Sequence, residues 1–483
     1  MAIAAHVETE RKYDAGASAT LPALRTIPGV TEVAGPRAER LEAVYFDTAD
    51  LRLARYGATL RRRTGGSDAG WHLKVPSGPD SRTELRLPLD DRPEGATNAP
   101  PDELADLTFG MTRGSEIRPV ARIRTERQVW ELLDGSGEAI AELTDDRVDA
   151  RLLGESATVD RWREVEVELT GAGTPAVLDK TEKVLRKAGI RPAAHGSKLA
   201  RVLPAPTTPK TDGKSAGAVV LAYLRTQVDA IVTQDLRVRR DAPDAVHQMR
   251  VAARRLRSAL RSYKKLLRGT KPLADELRWL GRKLAEARDL EVQSGHFHAE
   301  IDALPAELVV GPVSARLTRH YGPAAAEARR TVLKTLADRR YRRLLDTLDQ
   351  LVVDPPFTGR ANRKAAKELP KHARRTYRRT ARRRASGAPL HEVRKAAKRY
   401  RYALEVAAPD SPARKHAKAL TKVLGKHQDG VVARPVLRDL GMKAHLAGEN
   451  GFTYGLLHER EQARCDAAER AYPKAWKKVR KSA

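Results

Sequence analysis

The segment HVETERKY, residues 6–13, sets Glu8, Glu10 and Lys12 two residues apart. On a β-strand alternate side chains share a face, so one face carries two carboxylates and an ammonium. The spacing returns further along. Arg61 and Arg63 alternate, as do His72 and Lys74, then Arg82, Glu84 and Arg86, then Arg122 and Arg124. Glu142, Thr144 and Asp146 share a face opposite Ala141 and Leu143, and Glu164, Glu166 and Glu168 share one opposite Val165, Val167 and Leu169. Any one such strand reads as half-exposed, its polar face in water. The set reads otherwise, because the acids cluster on three strands and the cations on several others. Clustered carboxylates stay ionised only beside a cation. Hard, oxygen-only ligands suit Mg2+ or Mn2+ rather than zinc. The opposing cations suit a chain of phosphates.

These residues need strands to hold them. LEAVYFDT, ATLRRRTGG, GWHLKVP, TELRLPL, ARIRTERQVWELL, AIAELTDD and WREVEVEL are short strand-like segments bounded by Gly, Pro and Asp. Closing such a sheet with the charges inside makes a tunnel with an acidic wall and a basic wall. Its apolar outside then needs cover. TPAVLDKTEKVLRKAG predicts one helix, with Thr174 as N-cap, Pro175 at its first position and Gly189 just past its end. A second, short helix is expected after Thr48, ending at Gly57.

Nine elements in this order resemble the CYTH domain of the triphosphate tunnel metalloenzymes, over residues 1–203. They are ETERK, YFDT, LRRR, WHLK, RTEL, RIRT, the Asp of DDRV, EVEVEL and GSKLAR. The resemblance implies an α+β domain: an eight-stranded antiparallel β tunnel with flanking helices that hydrolyses triphosphates. It assigns Glu8, Glu10, Asp146, Glu164, Glu166 and Glu168 to the metal wall. Asp145 competes with Asp146 there, and parity with Glu142 favours Asp146. Lys12, Arg61, Arg63, Lys74, Arg82, Arg122, Arg124 and Lys198 would hold phosphates, with Glu8, Glu10 and Lys12 closest to the chemistry. His72 departs from the family, which commonly has Thr two residues before the lysine.

The remaining chain has another character. Residues 1–203 hold 30 Lys+Arg against 33 Asp+Glu, whereas 204–483 hold 61 against 29. A half this basic points to a polyanion partner. Proline-rich residues 204–216 read as a linker. From 217 to 480 helical periodicity dominates, and about eight helices are expected. HQMRVAARRLR from His247 recurs as HEVRKAAKRYR from His391, and LAEARDLEV from Leu284 recurs as LGKHQDGVV from Leu424. This order argues for a duplicated unit. His247, Arg250, Arg254, Arg257 and Arg261 fall on one helix face, and His391, Arg394, Lys398 and Arg401 repeat it. Solvated faces usually interleave acids; these stripes have only Glu392 at the margin. In ARRTYRRTARRR (373–384) the arginines surround the helix, so a solvated helix is as good a reading as a site.

This half resembles the CHAD domain, a conserved-histidine helical domain often fused to CYTH domains. The resemblance implies an all-α domain of two pseudo-symmetric four-helix bundles that bind inorganic polyphosphate. The matching positions are His247, Arg250, Arg254, Arg255, Arg257, Arg288, His391, Arg394, Lys395, Lys398, Arg399, Arg401 and His427. Metal ligation by these histidines is the weaker idea, since the adjacent arginines repel a cation. Nucleic acid is a less favoured partner, because the stripes lack aromatics to stack bases.

Cys465 is the one cysteine, which rules out a disulfide within one chain and suits a reducing cytosol. The N-terminus is too soon charged for a signal peptide, and no apolar run is long enough to span a membrane. The expectation is a cytoplasmic metal-dependent triphosphatase or polyphosphatase acting on inorganic triphosphate or polyphosphate. A polyphosphate-binding protein of polyphosphate granules, with an idle tunnel, is the alternative. Oligomeric state is not legible.

Overall fold

The computed structural model describes residues 3–78, 80–89, 99–154, 158–204 and 213–483. Most of the linker expected at 204–216 lies outside these residues. The chain divides into two compact units, Met1–Thr207 and Thr208–Ala483.

In the first unit eight antiparallel strands close into a barrel. They are β1 (Ala4–Ala15), β2 (Glu32–Asp47), β3 (Thr59–Thr64), β4 (Gly70–Gly78), β5 (Ser81–Leu87), β6 (Arg118–Leu133), β7 (Ala139–Leu152) and β8 (Val159–Leu169). Their order is β5-β4-β3-β2-β6-β7-β8-β1, and β1 closes the ring by pairing with β5. β1 does this by dividing its length: Ala4–Thr9 pair with β5 and Glu10–Ala15 with β8. A two-residue β9 (Arg191–Pro192) adds to its far end.

Small barrels usually fill their interior with apolar side chains. Part of this one is reversed. Tyr13, Leu143, Val165 and Val167 point outward and are buried there under Val177, Leu178 and Leu185 of α4. The unit's helices are α1 (Arg52–Arg55), α2 (Asp102–Leu107), α3 (Phe109–Thr112), α4 (Pro175–Lys187) and α5 (Lys198–Val202). α4 begins and ends as its sequence predicts, with Pro175 in its first turn and Gly189 at φ +80 just beyond it. Thr174 takes the N-cap backbone position, but its side chain makes no capping bond. At α1 Thr48 Oγ1 accepts from the Arg52 N–H at 3.0 Å, and Asp47 accepts from Leu53 and Ala54 at 2.8 and 2.9 Å.

The second unit is all helical. Its first part holds α6 (Ala216–Arg239), α7 (Ala245–Ser262), α8 (Lys271–Lys283), α9 (Ala285–Asp302), α10 (Val313–Ala337) and α11 (Arg339–Val353). Its second holds α12 (Ala365–Ala385), α13 (Leu390–Ala407), α14 (Pro412–Leu446) and α15 (Phe452–Ser482). The duplication is visible in this order. α7 and α13 carry the two His-x-x-Arg segments, and α8 with α9 stand where α14 is continuous. α10 with α11 likewise stand where α15 is continuous. Two interruptions in the first half thus raise the expected eight helices to ten among the described residues. The second has a local cause: Asp338 leaves helical geometry and its carboxylate accepts the Arg340 N–H at 2.6 Å.

Candidate functional site

A cavity of about 260 Å3 lies inside the barrel. β1 lines it with Glu8, Glu10 and Lys12, β3 with Arg61 and Arg63, β4 with Lys74, and β5 with Arg82 and Arg86. β6 contributes Arg127, β7 Glu142, β8 Glu166 and Glu168, and α5 Lys198. Asp146 and Glu164 are buried just behind that surface. The residues on β1, β3, β4, β5, β7 and β8 therefore face the side their spacing predicts.

Two ion clusters organise the lining. In the first, Lys12 Nζ sits 2.9 Å from Glu10 and contacts Glu166. Lys198 Nζ lies 2.8, 2.7 and 2.8 Å from Asp146, Glu164 and Glu166. It is held there by α5, whose Ser197 cap accepts the Ala200 N–H at 3.1 Å and whose Leu199 is buried against Ala43, Ile123 and Val148. Arg127 clamps Asp146 with two bonds of 2.7 Å and reaches Glu166 at 3.1 Å. Burial opposes the charge on Lys198, yet Asp146, Glu164 and Glu166 hold its pKa well above the ordinary lysine value. Burial opposes ionisation of Glu166 too, but Lys12, Lys198 and Arg127 keep it well below the carboxylate range.

In the second cluster Lys74 Nζ lies 2.6 Å from Glu8 and 3.4 Å from Glu84. Arg61 approaches Glu84 at 3.9 Å, and Arg86 touches Glu84 and lies 3.5 Å from Glu8. His72 fills the place of the family's Thr. Its Nδ1 is 2.7 Å from Glu84, and its Nε2 is 2.9 Å from the Asp68 carbonyl. Burial, with Arg61 and Arg63 nearby, pushes its pKa down to about 4. Burial, with Arg61 and Arg127 nearby, lowers Arg63 to about 9.

Glu168 stands apart. It has no ion-pair partner among the described residues. Burial and the nearby carboxylates Glu8, Glu10 and Glu166 raise its pKa to about 7. Its acidic neighbours are each held by an ammonium: Glu8 by Lys74, Glu10 by Lys12, and Glu166 by Lys12 and Lys198. Asp146, Glu164 and Glu166 bring ligand oxygens within 4.8 Å of one another around the Lys198 ammonium, and this acidic set fits a hard divalent cation.

One strand corrects its prediction. Arg122 and Arg124 point away from the cavity and bind Glu42 on the outer face, each at 3.0 Å. Ile123, Thr125 and Arg127 face inward instead. Arg127, missed in the sequence, has the opposite parity to the alternating pair. The signal was present: Trp130 and Leu132 lie in the outer apolar layer, so even positions on β6 face out. Asp145 also faces out, pairing with Arg163 at 2.7 Å, which leaves Asp146 inside.

In the helical unit Arg254, Arg394, Lys398 and Arg401 face one another across α7 and α13. Arg254 donates to the Tyr402 hydroxyl at 2.9 Å, and Arg401 lies 4.6 Å from the centre of the same ring. Burial and the three arginines push Lys398 down to about 7. Burial with Arg261 and Arg379 lowers Arg399 to about 10, and Arg257 is lowered by burial with Arg261 and Arg278. Arg379 comes from the arginine-rich run, so part of that run joins the cluster. Arg401 also lies 3.5 Å from Glu405, and other predicted residues are paired with acids. Arg250 binds Asp289 at 2.7 Å, Arg255 binds Glu405 at 3.0 Å, and Arg288 binds Asp244 and Glu291 at 3.2 and 3.0 Å. His391 and Lys395 share Glu392 at 3.2 and 2.8 Å, apart from the four-cation cluster. His427 contacts Glu469 at 3.0 Å, and burial beside Arg288 lowers the pKa of His247.

Comparison with known proteins gives the same division. The CYTH domain model matches residues 6–203 and the CHAD domain model residues 222–438. Uncharacterised proteins from two Mycobacterium tuberculosis strains, CDC 1551 and H37Rv, are each 39% identical over 99% of this chain and 98% of their own. PptA from Streptomyces chartreusis is similar at 22% identity and TM-score 0.47, covering 55% of this chain and 99% of its own. The CHAD domain from Ricinus communis is similar at 25% identity and TM-score 0.41, covering 56% and 92%. No helix among the described residues is long and apolar enough to cross a membrane. The chain belongs to the family in which a CYTH domain is followed by a CHAD domain.

Proposed function

We propose that this protein is a metal-dependent triphosphatase that cleaves phosphoanhydride bonds of inorganic triphosphate or polyphosphate, and that its helical domain binds polyphosphate. One observation carries the reading: carboxylates Glu8, Glu10, Glu142, Glu166 and Glu168 share a cavity with Arg61, Arg63, Lys74, Arg82 and Arg86. Asp146, Glu164 and Glu166, whose ligand oxygens lie within 4.8 Å of one another, would hold Mg2+ or Mn2+ with Glu8, Glu10 and Glu168 of the same acidic wall. Bound there, the ion supplies charge neutralisation and an activated water. The chain's own groups do the rest. Arg61, Lys74 and Arg82 bind phosphate oxygens and stabilise the charge that grows on the leaving group. Burial opposes ionisation of Glu10, and Lys12 with Lys74 holds its pKa below the ordinary value, so it stays an oxygen donor. No covalent nucleophile is needed; Cys465 is buried in the other unit.

Phosphate release from tripolyphosphate by the purified protein, with Mg2+ or Mn2+ and with EDTA, tests this. Glu10→Ala is expected to lower kcat by about 10²–10³. Full activity in that variant would remove Glu10 from the metal wall.

The helical reading rests on Arg254, Arg394, Lys398 and Arg401, four gathered cations, of which Lys398 and Arg394 are disfavoured by burial and by the neighbouring arginines. A linear polyanion relieves both. Competition between polyphosphate and RNA for the protein decides the partner, and preference for RNA would end the polyphosphate assignment.

A further inference from the structure

The β3–β4 connection holds an acid whose position the proposed chemistry does not require. Gly65 and Gly66 stand at φ +78 and +73. A Cβ at Gly65 would lie 2.2 Å from the Arg40 carbonyl oxygen, and one at Gly66 2.7 Å from Leu41 Cδ2. The loop is therefore pressed onto β2 by residues that only glycine fits. It is pinned again by His72 Nε2, 2.9 Å from the Asp68 carbonyl oxygen. So held, Ser67 and Asp68 line the cavity. The Asp68 carboxylate pairs with Arg63 and lies 3.9 Å from Arg86.

We propose that Asp68 is an end stop: it takes the outermost phosphate position at Arg63 and Arg86 and restricts the tunnel to short phosphate chains, tripolyphosphate above longer ones. The inference rests on the triphosphatase reading and names its substrate class. A phosphate reaching Arg63 must displace a carboxylate already bound there, and the like charges repel. The displaced loop has nowhere to go without breaking the glycine contacts and the His72 bond. The cavity agrees in size. At about 260 Å3 it lies below the roughly 300–1,000 Å3 of ordinary small-molecule pockets. Among the described residues that line it, Asp68 is the one acid carried by a loop rather than a strand.

The test is kcat and KM of the full-length protein, with its metal, on tripolyphosphate, tetrapolyphosphate and long-chain polyphosphate. Asp68→Asn keeps the shape and removes the charge. It is expected to raise kcat/KM for the longer chains relative to tripolyphosphate by about tenfold, chiefly through KM. Asp68→Glu, which keeps the charge, is expected to hold the wild-type ratio, and Asp68→Ser gives the same readout should the Asn variant not fold. An unchanged ratio in a folded variant, with wild-type turnover intact, overturns the end stop alone. A wild-type protein that hydrolyses none of the three overturns the triphosphatase reading and the end stop with it.

Discussion

Arg127 and Arg124 lie three residues apart on β6 and do opposite jobs. Arg127 is the double clamp on Asp146, whose side chain is 0% exposed. Removing it leaves a buried carboxylate with Lys198 as its remaining partner. Arg127→Ala should cost about 3 kcal/mol or more in denaturant-measured stability. Arg124→Ala, on the exposed face, should cost about 0–1 kcal/mol. Equal losses would contradict the placement of the two faces. Lys398 sets a different expectation, in pH. Its neighbours are Arg394, Arg254 and Arg401, with Asp429 the nearest acid. A bound polyanion favours the ammonium and raises its pKa from about 7. Below that pH the free protein already carries the charge, and affinity is flat. Above it binding takes up a proton, so affinity falls by up to about tenfold per pH unit. Calorimetry in buffers of different ionisation enthalpy reads that proton directly, and Lys398→Arg should abolish it. A flat wild-type profile would count against it. At this scale most of the tunnel was legible, because a period of two assigns a face without knowledge of neighbours. β6 was not. Its outer arginines mimic a phosphate row, and Glu42, which explains them, lies far off in sequence.

At the scale of elements, what matters is that the barrel is charged within and apolar without over α4. α4 is a structural wall for β7 and β8. Leu178 of α4, fully buried against the barrel's outer face, should on change to Ala cost about 2–5 kcal/mol by chemical denaturation. Phosphatase activity should fall in step with the folded fraction, not before it. α4 could be read from its proline, its glycine and its apolar spacing, all local signals. The helix count could not. The Ala-, Leu- and Arg-rich periodicity runs through residue 338 unbroken, and only the fold shows Asp338 turning its carboxylate onto the next helix. The repeat was legible because duplication leaves paired words. Its structural echo is that Arg250 pairs with Asp289, while Asp429 is the acid facing Arg394.

For the whole molecule, charge is the organising quantity. The near-neutral half of 30 bases and 33 acids lines its barrel with both signs; the half with 61 and 29 gathers Arg254, Arg394, Lys398 and Arg401 on α7 and α13. Polyphosphate binding should therefore weaken linearly with log salt. Each lost contact should flatten the slope by about 0.7, so the double change Arg394→Ala and Lys398→Ala should lower it by about 1.4. Tripolyphosphate turnover at saturating substrate should be little altered. A slope unchanged in the double variant would place the polyanion elsewhere.

The divided pairing of β1 also dictates an order of events in synthesis. Thr9 meets Ser81 across 72 residues, whereas Lys12 meets Glu166 across 154. β1, first of the barrel's strands in chain order, is thus the last to be satisfied on both edges. Its carboxylates have no completed wall until β8 has emerged. Closure at so long a loop is entropically late and slow by contact order. Until then the nascent chain carries an open strand edge, and the seam that carries Glu8, Glu10 and Lys12 is also the folding seam.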